Sequence, residues 1–540
     1  MERHAATVRE VAVSVRSFYD RKEPYRISHG STNSTRPKGA IRAVDISALS
    51  HVLFVDPVKK TMLVEPNVAM DGLVEASLPH GLVPPIVMEF PGITAGGGFA
   101  GTGAESSSFR HGFFDDTVRS VEMVLADGEI VTASRDVRPD LFRAAPGAVG
   151  TLGIVTMLEI TLIEAKKYVH TRYRRTNSVA EAVKVVKDEI ARPENDYVDG
   201  ILFSKEHGVI ISGSLTDQKP DHVKAQTFSG AWDPWFYLHV QERTSGPAED
   251  AVVSITEEED YIPLAEYLFR YDRGAYWVGR FVVMYWLMPF NSFSRWLLDD
   301  FLHTRMLYRA RETGENNTFT IQDIAMPFET AEPLVDYLEA EHPIWPLWLC
   351  PMQRRSSPTF HPFTTTPGGE RQKTRSISRD ILGLPSASSM PPAQQEEDDR
   401  HPHQQQMMLN IGVWGHEGTF SPPAFVGKNR ALEAKVGELG GMKWLYAHVY
   451  HSEEDFWAMY GGRGWYDALR AKYKASALPS VYDKVHVKKE DEAAARRRAG
   501  RWEWLKGYWP IGGLWGSWTA MASKDHLLHR NAAWRWRRGE

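Results

Sequence analysis

Residues 95–112 read AGGGFAGTGAESSSFRHG, six glycines and three consecutive serines in one stretch. Each glycine costs a helix or strand interior ~0.5–1 kcal/mol relative to alanine, so the stretch specifies a turn-rich loop of bare backbone. Gly96, Gly98 and Gly101 satisfy G-x-G-x-x-G, and Asp116 lies 20 residues after Gly96, the spacing of a dinucleotide-binding turn. That turn requires a strand before it and an apolar-striped helix after it. Here GTGAESSS adds further glycines and poor helix formers, and a hairpin pattern follows. A Rossmann unit is therefore excluded.

The flanking sequence supplies the class. HVLFVDPVKKTMLVEP sets two β-rich runs, 52–55 and 62–64, around a turn, and SVEMVLADGEIVTAS repeats the pattern around Asp127-Gly128, a strong hairpin dipeptide. TLGIVTMLEITLIEA, from Thr151, alternates as a strand. Helices are expected over 1–20, with Val8, Val11, Val15 and Phe18 on one face, and over 71–80, with Gly81 as C-cap. Hairpins with interspersed helices make the fold α+β.

Composition narrows function. At 540 residues the chain spans two to four domains of about 150 residues each. The net charge is -6, with no basic block in the first 480 residues, so nucleic acid is not an expected partner. The single cysteine, Cys350, excludes an intrachain disulfide, a Cys-rich zinc site and a CxxC pair. The strongest apolar run, FVVMYWLM at 281–288, ends between Arg280 and Pro289, too short for a membrane span. It is expected to be a buried strand or a wall of a second domain.

Two further small-residue loops accompany the glycine stretch: PYRISHGSTNSTRP at 24–37 and GAVGTLG at 147–153. Taken alone, each is either a tightly packed turn or a cradle whose N–H groups and hydroxyls hold a diphosphate. Three within 155 residues fit one extended ligand. The order polar loop, GG-x-x-x-GTG-x-ESSS, hairpin with LADG, DLF and then GTLG resembles the FAD-binding domain of the vanillyl-alcohol oxidase and p-cresol methylhydroxylase (PCMH-type) superfamily. Within it the chain resembles the Δ24-sterol reductase (24-dehydrocholesterol reductase, Diminuto) family. VEP at 64–66, EMVLADG, DLFRA, AKKYV, DPWFYLHV, YIPL, IQDIAMP, IWPLWLCP, LNIGVWG, LYAHVYHSEEDFW and LPSVYDKV follow in family order through residue 484.

The resemblance implies a PCMH-type FAD-binding domain over 1–165, itself of two subdomains, and an α+β substrate (cap) domain over 166–488. It carries non-covalent FAD contacts onto His29, Gly30, Ser31, Thr94, Gly96, Gly97, Gly101, Thr102, Gly103, Glu105, Ser106, Gly150, Gly153 and Ile154. It implies NADPH as donor, although no separate nicotinamide motif is visible, and a sterol or other isoprenoid-side-chain lipid as substrate. His29 is expected to hydrogen-bond rather than to bond flavin covalently. Reducing an isolated alkene needs a hydride at one carbon and a proton at the other, so a buried acid is required. Tyr446, His448 and Tyr450 alternate along an expected strand, with Tyr446 and His448 the candidate catalytic residues. Arg270, Asp272 and Arg273 either manage charge near the cofactor or form a surface ion cluster. An oxidase, a double-bond isomerase and a non-enzymatic sterol-binding protein are the competing readings.

Two regions depart from the resemblance. Residues 354–408 are polar and low in complexity and read as a disordered insertion; His401 and His403 belong to it, and no metal site is expected. Residues 489–540 carry 11 basic and 6 acidic residues and seven of the 18 tryptophans. That is either a membrane-interface composition or an extension without function. The first reading implies peripheral attachment to the cytoplasmic face of the endoplasmic reticulum membrane.

Overall fold

The computed structural model describes residues 1–30, 42–245, 258–311, 319–354, 358–364, 407–416, 422–487 and 510–537. The fold is α+β, with antiparallel sheets and helices set apart from one another.

Helix Glu2–Asp20 buries Val8, Val11, Val15 and Phe18, the stripe read from the sequence. Two short strands, β1 (Arg26–Ser28) and β2 (Ala43–Asp45), pair in parallel beside it. Next come β3 (Val52–Asp56) and β4 (Thr61–Val64), then helix Met70–Ser77, continued as a 3-10 turn to His80 and capped by Gly81. β5 (Leu82–Val83) precedes the glycine stretch. β6 (Val118–Leu125) and β7 (Ile130–Ser134) form the expected hairpin, and β8 (Gly153–Thr161) completes a five-stranded sheet in the order β3-β4-β8-β6-β7. Gly128, at the hairpin turn, has φ +86°, and a Cβ there would lie 2.8 Å from the carbonyl oxygen of Ala12. The positive φ makes the tight turn, and the missing side chain lets helix Glu2–Asp20 lie against it.

β9 (Ile163–Glu164) pairs with β5 and leads into the second sheet. Its strands are β10 (Tyr168–Thr176), β11 (Tyr197–Ser204), β12 (His207–Thr216), β13 (Glu258–Pro263), β14 (Phe319–Met326), β15 (Leu347–Gln353), β16 (Met407–His416) and β17 (Met442–Lys443). They run antiparallel in the order β13-β10-β12-β11-β15-β16-β14-β17. Alternation along the strands sorts side chains between two faces. Val198, Leu202, Leu347, Leu349, Leu409, Ile411, Val413, Ile324 and Met326 join one core with helices Val179–Ile190 and Ala331–Glu341. Tyr197, Ile201, Trp348, Cys350, Met408 and Ala325 join the core shared with the first sheet. Asp199, Asn410 and Asp323 lie at that second parity, so they face the first sheet.

Three expectations change here. Residues 281–288 are not a strand: helix Gly279–Tyr285 covers most of them, with Met284 and Leu287 exposed. An apolar run this short suits either element, and packing decides. Residues 358–364, at the start of the expected insertion, are instead held in the fold: Phe360 packs on Trp465 and Tyr466, and His361 bonds Asp115 at 2.8 Å. Residues 407 and 408 open β16, and His401 and His403 lie outside the described residues. The described part of the C-terminal segment folds back onto the body. Helices Ile511–Ala522 and His526–Arg530 are tied down by Arg309–Asp525 and Arg530–Asp300, both at 2.8 Å. Trp534 packs at a tilt against Phe269, and the Trp536 N–H donates to Glu266 at 3.0 Å.

Candidate active site

The glycine stretch opens as a one-and-a-half-turn helix, Ala95–Ala100, rather than as a loop throughout. Thr94 caps it, its Oγ1 accepting from the Gly97 N–H at 3.1 Å. Several N–H groups expected to face a diphosphate are used to close the turn. Gly96 donates to Pro66, Gly101 to Gly97 and Gly103 to Gly98, at 2.8, 2.8 and 2.9 Å. The glycines are needed for close packing: a Cβ on Gly103 would lie 2.8 Å from the Met88 sulfur. Gly97 remains exposed. Of the other two loops, Gly30 and Gly150 hold φ of +75° and +74°, and Gly150 abuts Ile27 of β1. His29 directly follows β1, and Ser31 lies outside the described residues. Gly153 begins β8, and Ile154 is buried beneath helix Glu2–Asp20 with Val8 and Val11.

The far end of the stretch meets the cap. The Thr102 carbonyl accepts from Trp444 Nε1 at 2.9 Å, and the Ser106 carbonyl from the Val198 N–H of β11 at 2.8 Å. Glu105 is buried, its Oε1 accepting from the Glu89 N–H at 3.2 Å. Arg270, also buried, reaches Asp199 at 2.9 Å, Ser106 Oγ at 3.4 Å and Glu89 at 3.6 Å. Tyr271 OH and Trp348 Nε1 donate to the same Asp199 oxygen at 2.9 and 3.1 Å. Tyr276 OH donates to Glu89 at 2.9 Å.

Three carboxyls around one guanidinium cannot all ionise cheaply without water. Burial, and then the adjacent Glu89, push Glu105 well above the usual carboxylate range; burial also raises Glu89. The Cys350 thiol is driven up by burial and by these carboxylates, so it stays protonated and unreactive.

Beside this network stands an aromatic wall. Tyr276 stacks on Tyr271 at 3.9 Å and meets Trp414 and Trp348 at 4.2 and 5.5 Å. Behind the wall sits Asp323 of β14. Its carboxyl accepts from Asn410 Nδ2 at 3.0 Å, from Trp414 Nε1 at 3.3 Å and from Tyr446 OH. Burial lifts Asp323 to about 7, the Asn410 and Trp414 donors restraining the rise.

Tyr446 and His448 do not share a strand face. β17 ends at Lys443, and the chain then turns. The Trp444 N–H bonds the Asp323 carbonyl at 3.1 Å, which brings Tyr446 to Asp323. The His448 carbonyl instead accepts from the Lys443 ammonium, which pairs with Glu433 at 2.8 Å. Lys443 and Glu433 line a small cavity with Gln322 and Ile324, residues of the opposite β14 parity to Asp323.

The FAD binding domain family matches residues 3–134. Delta(24)-sterol reductase of Homo sapiens is 28% identical over 445 residues, covering 81% of this chain and 76% of that protein. The Delta(24)-sterol reductase of Arabidopsis thaliana is 28% identical over 476 residues, covering 84% and 78%. The likeness to Δ24-sterol reductases thus spans about four-fifths of the chain. The chain is an FAD-dependent oxidoreductase. Cytokinin dehydrogenase 4 of Oryza sativa subsp. japonica is 32% identical over 154 residues, 28% of this chain and 29% of its own.

The donor set suits a flat anionic cofactor. Gly97 presents backbone without a side chain, and the buried Arg270 Nε has no hydrogen-bond partner among the described residues. Of the charged trio at 270–273, only Arg270 enters the network. Asp272 bonds His303 at 2.5 Å, and Arg273 bonds Asp299 and three carbonyls. Sequence reasoning missed Glu89, Asp199 and Asp323. The signal for Asp323 lies in IQDIAMP, where a lone carboxylate takes the same parity as an apolar inward position, Ala325.

Proposed function

We propose that this chain reduces the C24–C25 side-chain double bond of a sterol, using non-covalent FAD with NADPH as donor. The observation that carries the reading is the juxtaposition of an FAD-binding turn with the Tyr446–Asp323 pair, set in the Trp348, Trp414 and Tyr276 wall. When bound, FAD supplies a hydride to one alkene carbon. The chain's own residues do the rest. Gly97, Thr102, Glu105, Ser106 and Arg270 provide backbone, hydroxyl and charge for the cofactor, and the tyrosine and tryptophan rings offer broad apolar surface to a hydrocarbon. Tyr446 O–H stands as the proton source for the second carbon. The test is anaerobic mixing of the purified protein with NADPH, followed by a Δ24-sterol. Flavin bleaching and then sterol-driven reoxidation is expected. A protein that purifies without flavin, or whose reduced flavin is reoxidised by oxygen and not by sterol, would refute the reading.

A sterol substrate also calls for access to a bilayer, and we propose peripheral attachment at the cytoplasmic face of the endoplasmic reticulum. The C-terminal segment would contribute helix Ile511–Ala522, whose Leu514 and Trp518 are exposed, rather than Trp534 and Trp536. This helix rests on Tyr285, through the Gly513 N–H, beside the helix carrying exposed Met284. Among the described residues no helix is long and apolar enough to cross a membrane. Trp518→Glu should weaken co-sedimentation with anionic liposomes without loss of flavin; undiminished sedimentation would rule this helix out.

A further inference from the structure

We propose that Asp323 is the positioning residue and proton reservoir of the reduction: it orients the Tyr446 hydroxyl and returns to it the proton that the substrate takes. The inference rests on the reductase reading above and deepens it.

Tyr446 lies on the turn after β17 and packs against the core. It is aimed by two bonds from the same segment to β14, Trp444 N–H to the Asp323 carbonyl and Tyr446 OH to the Asp323 carboxyl. Trp444 also donates through Nε1 to Thr102, so one short segment ties the glycine turn, the tyrosine and the aspartate together. Asp323 is itself fixed. Asn410 and Trp414 of the neighbouring β16 hold both carboxyl oxygens, and a Cβ on Gly412 would press to 3.0 Å from Oδ1.

Among the described residues, the polar groups that bond this carboxyl are neutral: Asn410 and Trp414 on β16 and Tyr446 on the turn after β17. Of the ionisable groups across the interior, Glu89 raises Asp323 further, and the Cys350 thiol of β15 is itself raised. The Lys443 ammonium is spent on Glu433. A carboxyl so surrounded keeps a proton near neutral pH, which burial lets it do up to about 7.

The step balances. A hydride forms one C–H bond, and the Tyr446 O–H breaks as its proton forms the other. For this the Tyr446 O–H turns from Asp323 to the substrate and the protonated Asp323 carboxyl becomes the donor to the tyrosine oxygen; its proton passes to the phenolate, and Asp323 is reprotonated between turnovers. NADPH supplies the two electrons.

The experiment compares Asp323→Asn, Asp323→Glu and Tyr446→Phe in the flavin-loaded protein. Tyr446→Phe should lower kcat by roughly 10²–10⁴-fold, as loss of a general acid does. Asp323→Asn should lower it by about tenfold or more with KM for the sterol little changed, and Asp323→Glu should restore part of the loss. Wild-type kcat should fall as pH rises through about 7, and Asp323→Asn should lose that limb. A second readout needs no turnover. In the infrared difference spectrum of wild type minus Asp323→Asn, a protonated-carboxyl band should bleach across the same pH range. An Asp323→Asn enzyme that keeps the limb, loses activity equally at all pH values, or lacks a titrating band in that difference would overturn the proposal. If wild-type flavin is not reoxidised by sterol at all, the reductase reading has failed instead.

Discussion

Asp272 and Asp323 are both buried aspartates in the second half of the chain, yet at pH 6 the first is an anion and the second keeps its proton. Asp272 accepts from His303 Nδ1 at 2.5 Å and from the Thr304 N–H at 3.1 Å. Burial raises it, but His303 and Thr304 more than offset that and hold it at about 2. Asp323 has the same burial and only neutral donors, and it rises to about 7. The difference lies in the partners. A cation within hydrogen-bond reach turns a buried carboxyl into a clamp, and neutral donors turn it into a proton store. The clamp belongs to the C-terminal segment: His303 stacks on His529 at 3.7 Å, and His529 reaches Asp300 at 3.2 Å.

The comparison breaks most visibly in stability. Asp272→Asn leaves the buried His303 cation with only Asp299, at 3.7 Å, and should cost about 3 kcal/mol. At pH 6, Asp323→Asn should cost less than about 1 kcal/mol, since one neutral acceptor replaces another. Urea unfolding midpoints of the two variants decide it, and similar losses would dissolve the distinction.

The next effect is a pH dependence of opposite sign. The raised Asp323 contributes stability that is present in acid and lost as pH rises from about 4 through about 7. Raising pH from 5 to 8 should therefore move Asp323→Asn from parity towards greater stability than wild type, by about 2–4 kcal/mol. Asp272 behaves in reverse, its contribution being lost as pH falls through about 2. His303 is raised to about 9 by Asp272 and Asp299 against the effect of burial, so its contribution is complete below about 6.5 and fades as pH passes 9.

The smallest effect sharpens the clamp. Burial, and then the charge on His303, depress His529 to about 3, so its contribution is lost as pH falls from about 6.5 towards 3. Limited proteolysis should cut residues 510–537 faster at pH 5 than at pH 7. His529→Phe, which keeps a ring over His303, should flatten that difference at a cost of about 1 kcal/mol. An unchanged pH response would place the switch elsewhere.

What could be read without the structure was local. The stripe on helix Glu2–Asp20, the β6–β7 hairpin around Gly128 and the alternation of β8 each depend on neighbours a few residues apart, and each is found. Loop order and motif order also carried the likeness to Δ24-sterol reductases and the flavin domain. Where the reading failed, the deciding contact was distant. Nothing near 281–288 chooses helix over strand. Phe360 is drawn out of a polar stretch by Trp465 and Tyr466. Tyr446 sits on a turn because β17 pairs for only two residues with β14.

The chemistry of the centre is the furthest case. Asp323 meets Tyr446 across 123 positions, and Arg270 meets Asp199 across 71. Sequence alone determined that the chain carries an FAD-binding domain and the hairpins that build it. Only the tertiary structure decided which carboxyl is an ion and which an acid, because a pKa is set by the solvent removed and the charges brought near, and neither is a property of the residue or of its neighbours in the chain.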